Sequence, residues 1–100
     1  MYGVFLNRTN KALGVSFISK GGMAETVMDV KIILQTALKT HASGIILSHN
    51  HPSGNLHPSE ADKRITSKIK EACKLLDLNL LDHIIITEEH YYIFADEGLI

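Results

Sequence analysis

The chain has 100 residues, 45% hydrophobic and 21% charged, and a formal net charge of −1. That length makes one domain with a modest core, no run approaches the roughly 18 apolar residues of a membrane span, and the near-neutral balance without a long basic run gives no footprint for DNA. The lone cysteine, Cys73, excludes a disulfide framework and a deaminase site of the H-x-E…P-C-x-x-C type, and with no signal-peptide pattern in MYGVFLNRTNK the expected compartment is the cytoplasm.

Tyr2–Leu6 and Leu13–Ile18 are rich in aromatic and β-branched residues, and the polar stretch Asn7–Lys11 (NRTNK) separates them, so a hairpin is predicted. Ser19–Glu25 reads as a loop broken by Gly21-Gly22. Val30, Ile33, Leu34, Ala37, Leu38 and His41 then recur at helical spacing, with Asp29 as the expected N-cap and Ser43-Gly44 as the stop. Gly44–Ser48 (GIILS) is a short apolar run of the kind found in a covered strand.

A loop containing His49, His51, Pro52, Gly54, His57 and Pro58 follows, and it gives way at once to a second helix. That helix has Ile65, Ile69, Ala72, Cys73 and Leu76 on one face, with Lys63, Arg64, Lys68 and Lys70 largely off it. On that face Cys73 reads as a small core hydrophobe. Leu80–Thr87 (LLDHIIIT) is a further buried strand, Tyr91–Phe94 a final one, and Asp96–Gly98 closes the chain. The order β-β-α-β-α-β-β implies one α/β domain with a mixed sheet, because strand–helix–strand crossovers of this length suit parallel strands.

The loop after GIILS carries the chemistry. His49 and His51 are two apart, so an extended backbone sends both imidazoles to the same side. Asp62 lies in the first turn of the next helix, and two histidines with one carboxylate and an open fourth position form a catalytic type of zinc site. The same residues have a structural reading. Ser59-x-x-Asp62 fits a capping box, and an Asp in the first turn is favoured by the helix dipole alone. The two readings are compatible, since a hydroxyl both donates and accepts and a carboxylate has two oxygens. His57 reads as a solvated loop residue, His41 and His90 as surface residues. The adjacent pair Asp82-His83 must point to opposite faces of its strand, with one of the two in a structural hydrogen bond.

His49-Asn50-His51, seven residues, then Ser59-x-x-Asp62 resembles the H-x-H-x7-S-x2-D motif of the JAMM (MPN-plus) metallopeptidases. The fuller string HNHPSG…PSEAD, with the long helix and LLDHIIIT after it, is similar more narrowly to the bacterial RadC-like family, over nearly the whole chain. The resemblance implies a cytidine-deaminase-like fold, its sheet sandwiched by helices. It also implies one zinc ion per chain on His49, His51 and Asp62, with Ser59 stabilising a tetrahedral intermediate in the hydrolysis of a peptide or isopeptide bond. A non-catalytic metal-binding module attached to DNA repair is the alternative the family's name suggests.

Two features depart from the family. Its general-base glutamate would fall at or just before Met1, and Glu25, the only Glu ahead of the motif, sits in the Gly-Gly loop. No helix-hairpin-helix region precedes the first strand, so residues 1–100 are expected to be the JAMM-like domain without that region and without its first few residues.

Overall fold

The computed structural model describes residues 1–19, 27–51 and 55–100. Its elements are β1 (Tyr2–Leu6), β2 (Ala12–Phe17), α1 (Val27–Lys39), β3 (Gly44–Asn50), α2 (Glu60–Leu75), β4 (Asn79–Ile86) and β5 (Tyr91–Ile93). The predicted order is present. The expected loop at residues 20–25, including Gly21, Gly22 and Glu25, lies outside the described residues, as do Pro52 and Gly54.

The strands form one mixed sheet in the order β2-β1-β3-β4-β5. Only β3 and β4, joined through α2, run parallel; the other neighbours are antiparallel. The β1–β2 turn is built by Asn7, whose Oδ1 accepts from the backbone N–H groups of Thr9 and Lys11, both at 3.0 Å, while Asn10 takes the left-handed φ of 60°. Asn tolerates that conformation better than other non-glycine residues, which is why NRTNK turns the chain.

Alternation along the strands selects one face for the core. Phe5 pairs with Ile45, which pairs with Leu80, and Gly3 pairs with Leu47, which pairs with His83. The large residues of that face are sealed, and Val30, Ile33 and Ala37 of α1 join Ile65, Ile69 and Cys73 of α2 in the same cluster. The opposite face is more open, with Tyr2, Val15 and Phe17 exposed. Burial pushes the Cys73 thiol up to about 11, which agrees with a packing role.

Three expectations need correction. Leu38 and Leu76, placed on the apolar helix faces by their spacing, are exposed, Leu76 as the C-cap just past α2. Asp29 is not the N-cap of α1; it is the third residue of the helix, and it is buried. An acidic residue in the first turn is favoured by the helix dipole, so the same sequence signal serves either position. The strand predicted to end at Ser48 continues to Asn50, so His49 stands inside β3, opposite Ile85. Among the described residues, no helix is long and apolar enough to cross a membrane.

Candidate metal centre

The site lies where β3 ends and α2 begins. Ile45, Leu47 and His49 occupy alternate positions on the buried face of β3, so His49 takes the place of a core residue at the strand's last turn inward. His51 follows just past the strand, and its N–H donates to the Ile86 carbonyl at 3.1 Å, extending the pairing with β4 by one step. Its ring therefore leaves on the same side as that of His49.

Asp62 is aimed by the helix cap. Ser59 is the N-cap of α2, with extended backbone (φ −72°, ψ 165°). Its Oγ accepts from the Asp62 N–H at 3.0 Å, and Asp62 Oδ2 accepts in return from the Ser59 N–H at 2.8 Å. This is the reciprocal capping box, and it fixes the carboxylate with lone pairs to spare. Those face the histidines: Oδ1 lies 3.5 Å from His49 Nε2, and Oδ2 lies 3.2 Å from His51 Nε2. The capping and ligand readings of Ser59-x-x-Asp62 are thus compatible in space as well as in sequence.

The two Nε2 atoms are 2.9 Å apart, and one ligand atom from each of His49, His51 and Asp62 falls within a 4.8 Å span. Donors bonded to one zinc ion at about 2.0–2.1 Å in a tetrahedron lie about 3.3 Å from each other. The Nε2–Nε2 separation of 2.9 Å and the contacts to Asp62 lie near that edge, but His49 meets Oδ1 and His51 meets Oδ2. With one atom from each residue the set spans up to 4.8 Å, so the three donors gather around one cation site without forming three tetrahedral edges. His51 Nδ1 lies 2.7 Å from the Asn55 carbonyl oxygen, which can only accept, so the proton of a neutral His51 ring sits on Nδ1 and leaves Nε2 bare.

Electrostatics agrees with metal binding. Burial, which outweighs the attraction of Asp62, takes the His49 pKa down to about 4, so its ring is neutral at pH 7. Burial alone would raise the Asp62 pKa, but the Ser59 hydrogen bonds, with His49 and His51 adding, hold it below the usual carboxylate value. A neutral imidazole and an ionised carboxylate are the protonation states a metal requires.

His57 stands apart, exposed, its N–H on Asn55 Oδ1. His41 and His90 are exposed as expected. Both members of the Asp82-His83 pair make hydrogen bonds, where one was expected. Asp82 Oδ1 accepts from the N–H groups of His83 and Ala95, and the buried His83 ring touches His49. Sequence reasoning missed Thr66, which joins His83 and the first turn of α2. The signal available was its spacing, four residues after Asp62 on the same helix face.

A cavity of about 380 Å³ opens beside His49, lined by Met1, Tyr2, Phe17, Ser48 and Ile86 among others.

A family model described as RadC-like JAB domain matches residues 1–99. The chain belongs to this family. This RadC-like domain is 53% identical over 96 residues to a UPF0758 protein of Flavobacterium johnsoniae, covering 96% of the chain and 42% of that relative. It is 44% identical over 101 residues to a UPF0758 protein of Porphyromonas gingivalis (100% and 44% covered). To one of Aquifex aeolicus it is 37% identical over 100 residues (100% and 43% covered). The chain spans less than half the length of these curated relatives.

Proposed function

We propose that this RadC-like JAB domain is a zinc-dependent hydrolase module for a peptide or isopeptide bond, holding one metal ion on His49, His51 and Asp62. The observation that carries the reading is the convergence of two imidazoles and a capped carboxylate, the donor types of a catalytic zinc site, with one ligand atom from each within 4.8 Å of the others. When bound, zinc supplies a Lewis acid that lowers the pKa of water to about 7 and polarises a carbonyl.

The chain's own residues do the rest. His49 offers a neutral ring and His51 a second imidazole, and Asp62 offers the negative charge that partly neutralises a dication. Ser59 accepts from the Asp62 N–H through Oγ and so keeps its own hydroxyl proton for donation. It is exposed at the mouth of the site, suited to donating to the oxygen of an attacked carbonyl as negative charge develops there. Proton transfer from water to the leaving nitrogen needs a separate acid/base, the role of the family's glutamate.

One observation favours the second reading, a metal-binding module without catalysis. Among the described residues, the metal-ligand cluster contains a single carboxylate, Asp62, which is committed to the capping box. The charge of −1 does not support DNA as a direct partner under either reading. A buried free thiol at Cys73 and no cysteine partner favour the cytoplasm as the compartment.

Removal of metal tests the first step. Metal joins the end of β3 to the start of α2, so it stabilises the native state by mass action, by about 2.7 kcal/mol at a free concentration 100 times the dissociation constant. For a domain of this size that is roughly 10–20 °C in Tm. Thermal unfolding followed by circular dichroism is expected to show this loss in chelator, with the far-ultraviolet spectrum of the cold protein unchanged. A chain that unfolds outright on chelation has a structural site in the manner of a zinc finger. Chelator-sensitive cleavage of an amide substrate is the corresponding test of hydrolysis.

A further inference from the structure

Thr66 and His83 take no part in the chemistry above, yet both are sealed at 1% and 0% exposure and both are hydrogen-bonded into the site. We infer that Thr66 and His83 are positioning residues that lock His49 in the tautomer with Nδ1 protonated, leaving Nε2 bare toward His51 and Asp62. The purpose of this relay rests on the metal reading, but its geometry does not.

The assignment follows from counting protons. Thr66 Oγ1 lies 2.7 Å from the Asp62 carbonyl oxygen. A carbonyl has no proton to give, so the single hydroxyl proton of Thr66 occupies that contact. Thr66 Oγ1 also lies 2.7 Å from His83 Nδ1. With its own proton already committed, the hydroxyl must accept here, so His83 carries its proton on Nδ1. A neutral imidazole has one N–H, which makes His83 Nε2 an acceptor. That atom is 2.7 Å from His49 Nδ1, so His49 donates, and its proton is on Nδ1. His49 Nε2 is left with a lone pair, and it is the atom 2.9 Å from His51 Nε2, a separation that two ring nitrogens adopt only with a proton or a cation between them.

The rings have little freedom to do otherwise. His83 stacks on the sealed ring of Phe94, with centroids 4.6 Å apart and planes 16° from parallel. The relay ends on the backbone of Asp62, the residue whose side chain closes the metal site. One turn of α2 therefore supplies a carboxylate through its side chain and orients an imidazole through its carbonyl. Ring nitrogens facing away from a metal commonly donate to a carbonyl or carboxylate, and disturbing such partners typically lowers metal affinity roughly 10–100-fold. Here a second histidine and a threonine stand between the ligand and that carbonyl.

The test uses the metal-free chain with 15N-labelled histidine and reads the His49 tautomer from long-range 1H–15N couplings at pH 7.5. Zinc affinity is then measured by competition with a chromophoric chelator. In the wild type His49 is expected to be protonated on Nδ1. His83→Leu, which offers no acceptor, is expected to lose that single tautomer and to bind zinc roughly 10–100-fold more weakly. His83→Gln can accept from His49 through its amide oxygen and donate to Thr66 through its amide nitrogen, so it is expected to rescue most of the affinity. Thr66→Val keeps the shape and removes the acceptor, so it serves where His83→Leu does not fold. It too is expected to bind zinc more weakly, with Thr66→Ser restoring the wild-type value.

A wild-type His49 protonated on Nε2 would overturn the relay. So would folded His83→Leu or Thr66→Val protein that binds zinc as tightly as the wild type. A wild type with the Nδ1 tautomer and no zinc affinity would support the relay's geometry and overturn the metal reading instead.

Discussion

Residues 1–100 loaded with zinc are expected to cleave peptide or isopeptide substrates about 10²–10⁴-fold more slowly than a version with a glutamate placed directly ahead of β1. The reason is geometric. Tyr2 of β1 pairs with Ser48 of β3, so the next position outward along β1 comes level with His49. Met1 occupies it, buried, with its amino group donating to the Ser19 carbonyl, at the wall of the cavity beside His49. A carboxylate introduced there would stand next to the proposed metal, where a proton must be taken from water and handed to the leaving nitrogen.

A short segment ending in a glutamate, grafted so that it enters β1 at the position of Met1, gives that version. Turnover of an isopeptide-linked fluorogenic substrate checks it. Glutamate-to-glutamine replacement in the graft should remove the gain while zinc stays bound. Robust chelator-sensitive turnover by residues 1–100 alone would contradict the account, and Glu25 would be the first residue to replace. A grafted protein inert on every amide favours the metal-binding module.

Leu47→Ala should cost about 2–5 kcal/mol, a large share of the 5–15 kcal/mol typical of a whole domain. Leu47 is fully buried, two residues before His49 on the same face, flanked by Gly3 on β1 and His83 on β4. Its truncation leaves a cavity directly behind the histidines, in a layer packed from both helices. Urea unfolding in chelator gives the size without the metal's contribution, and the corresponding fall in Tm is roughly 10–40 °C. A loss well under 1 kcal/mol would mean that this layer is not packed as described. Added zinc should recover part of the loss, since it binds the native state selectively.

Local signals in the sequence were legible, and through-space ones were not. The β1 boundaries follow from its aromatic and β-branched run, and Ser59-x-x-Asp62 was readable as a cap because a capping box has a fixed offset along the chain. The end of β3 was not readable. His49 fills a buried position that an apolar residue would otherwise mark, so the hydrophobic pattern stops while backbone pairing runs on to Asn50. Asp29 misled because the dipole that favours an acidic N-cap favours an acidic first turn equally. Thr66 and His83 lie 17 residues apart and meet only because α2 lays its first turns across β4. No periodicity within one element reports such a meeting.

The central claim is that His49, His51 and Asp62 hold one metal ion. Calorimetric titration of zinc into metal-free protein, run beside the His49→Ala/His51→Ala double variant, addresses it most directly. The wild type is expected to bind one zinc per chain, and the double variant, shown to be folded by circular dichroism, none. Zinc bound with undiminished stoichiometry and affinity by the folded double variant would contradict the assignment.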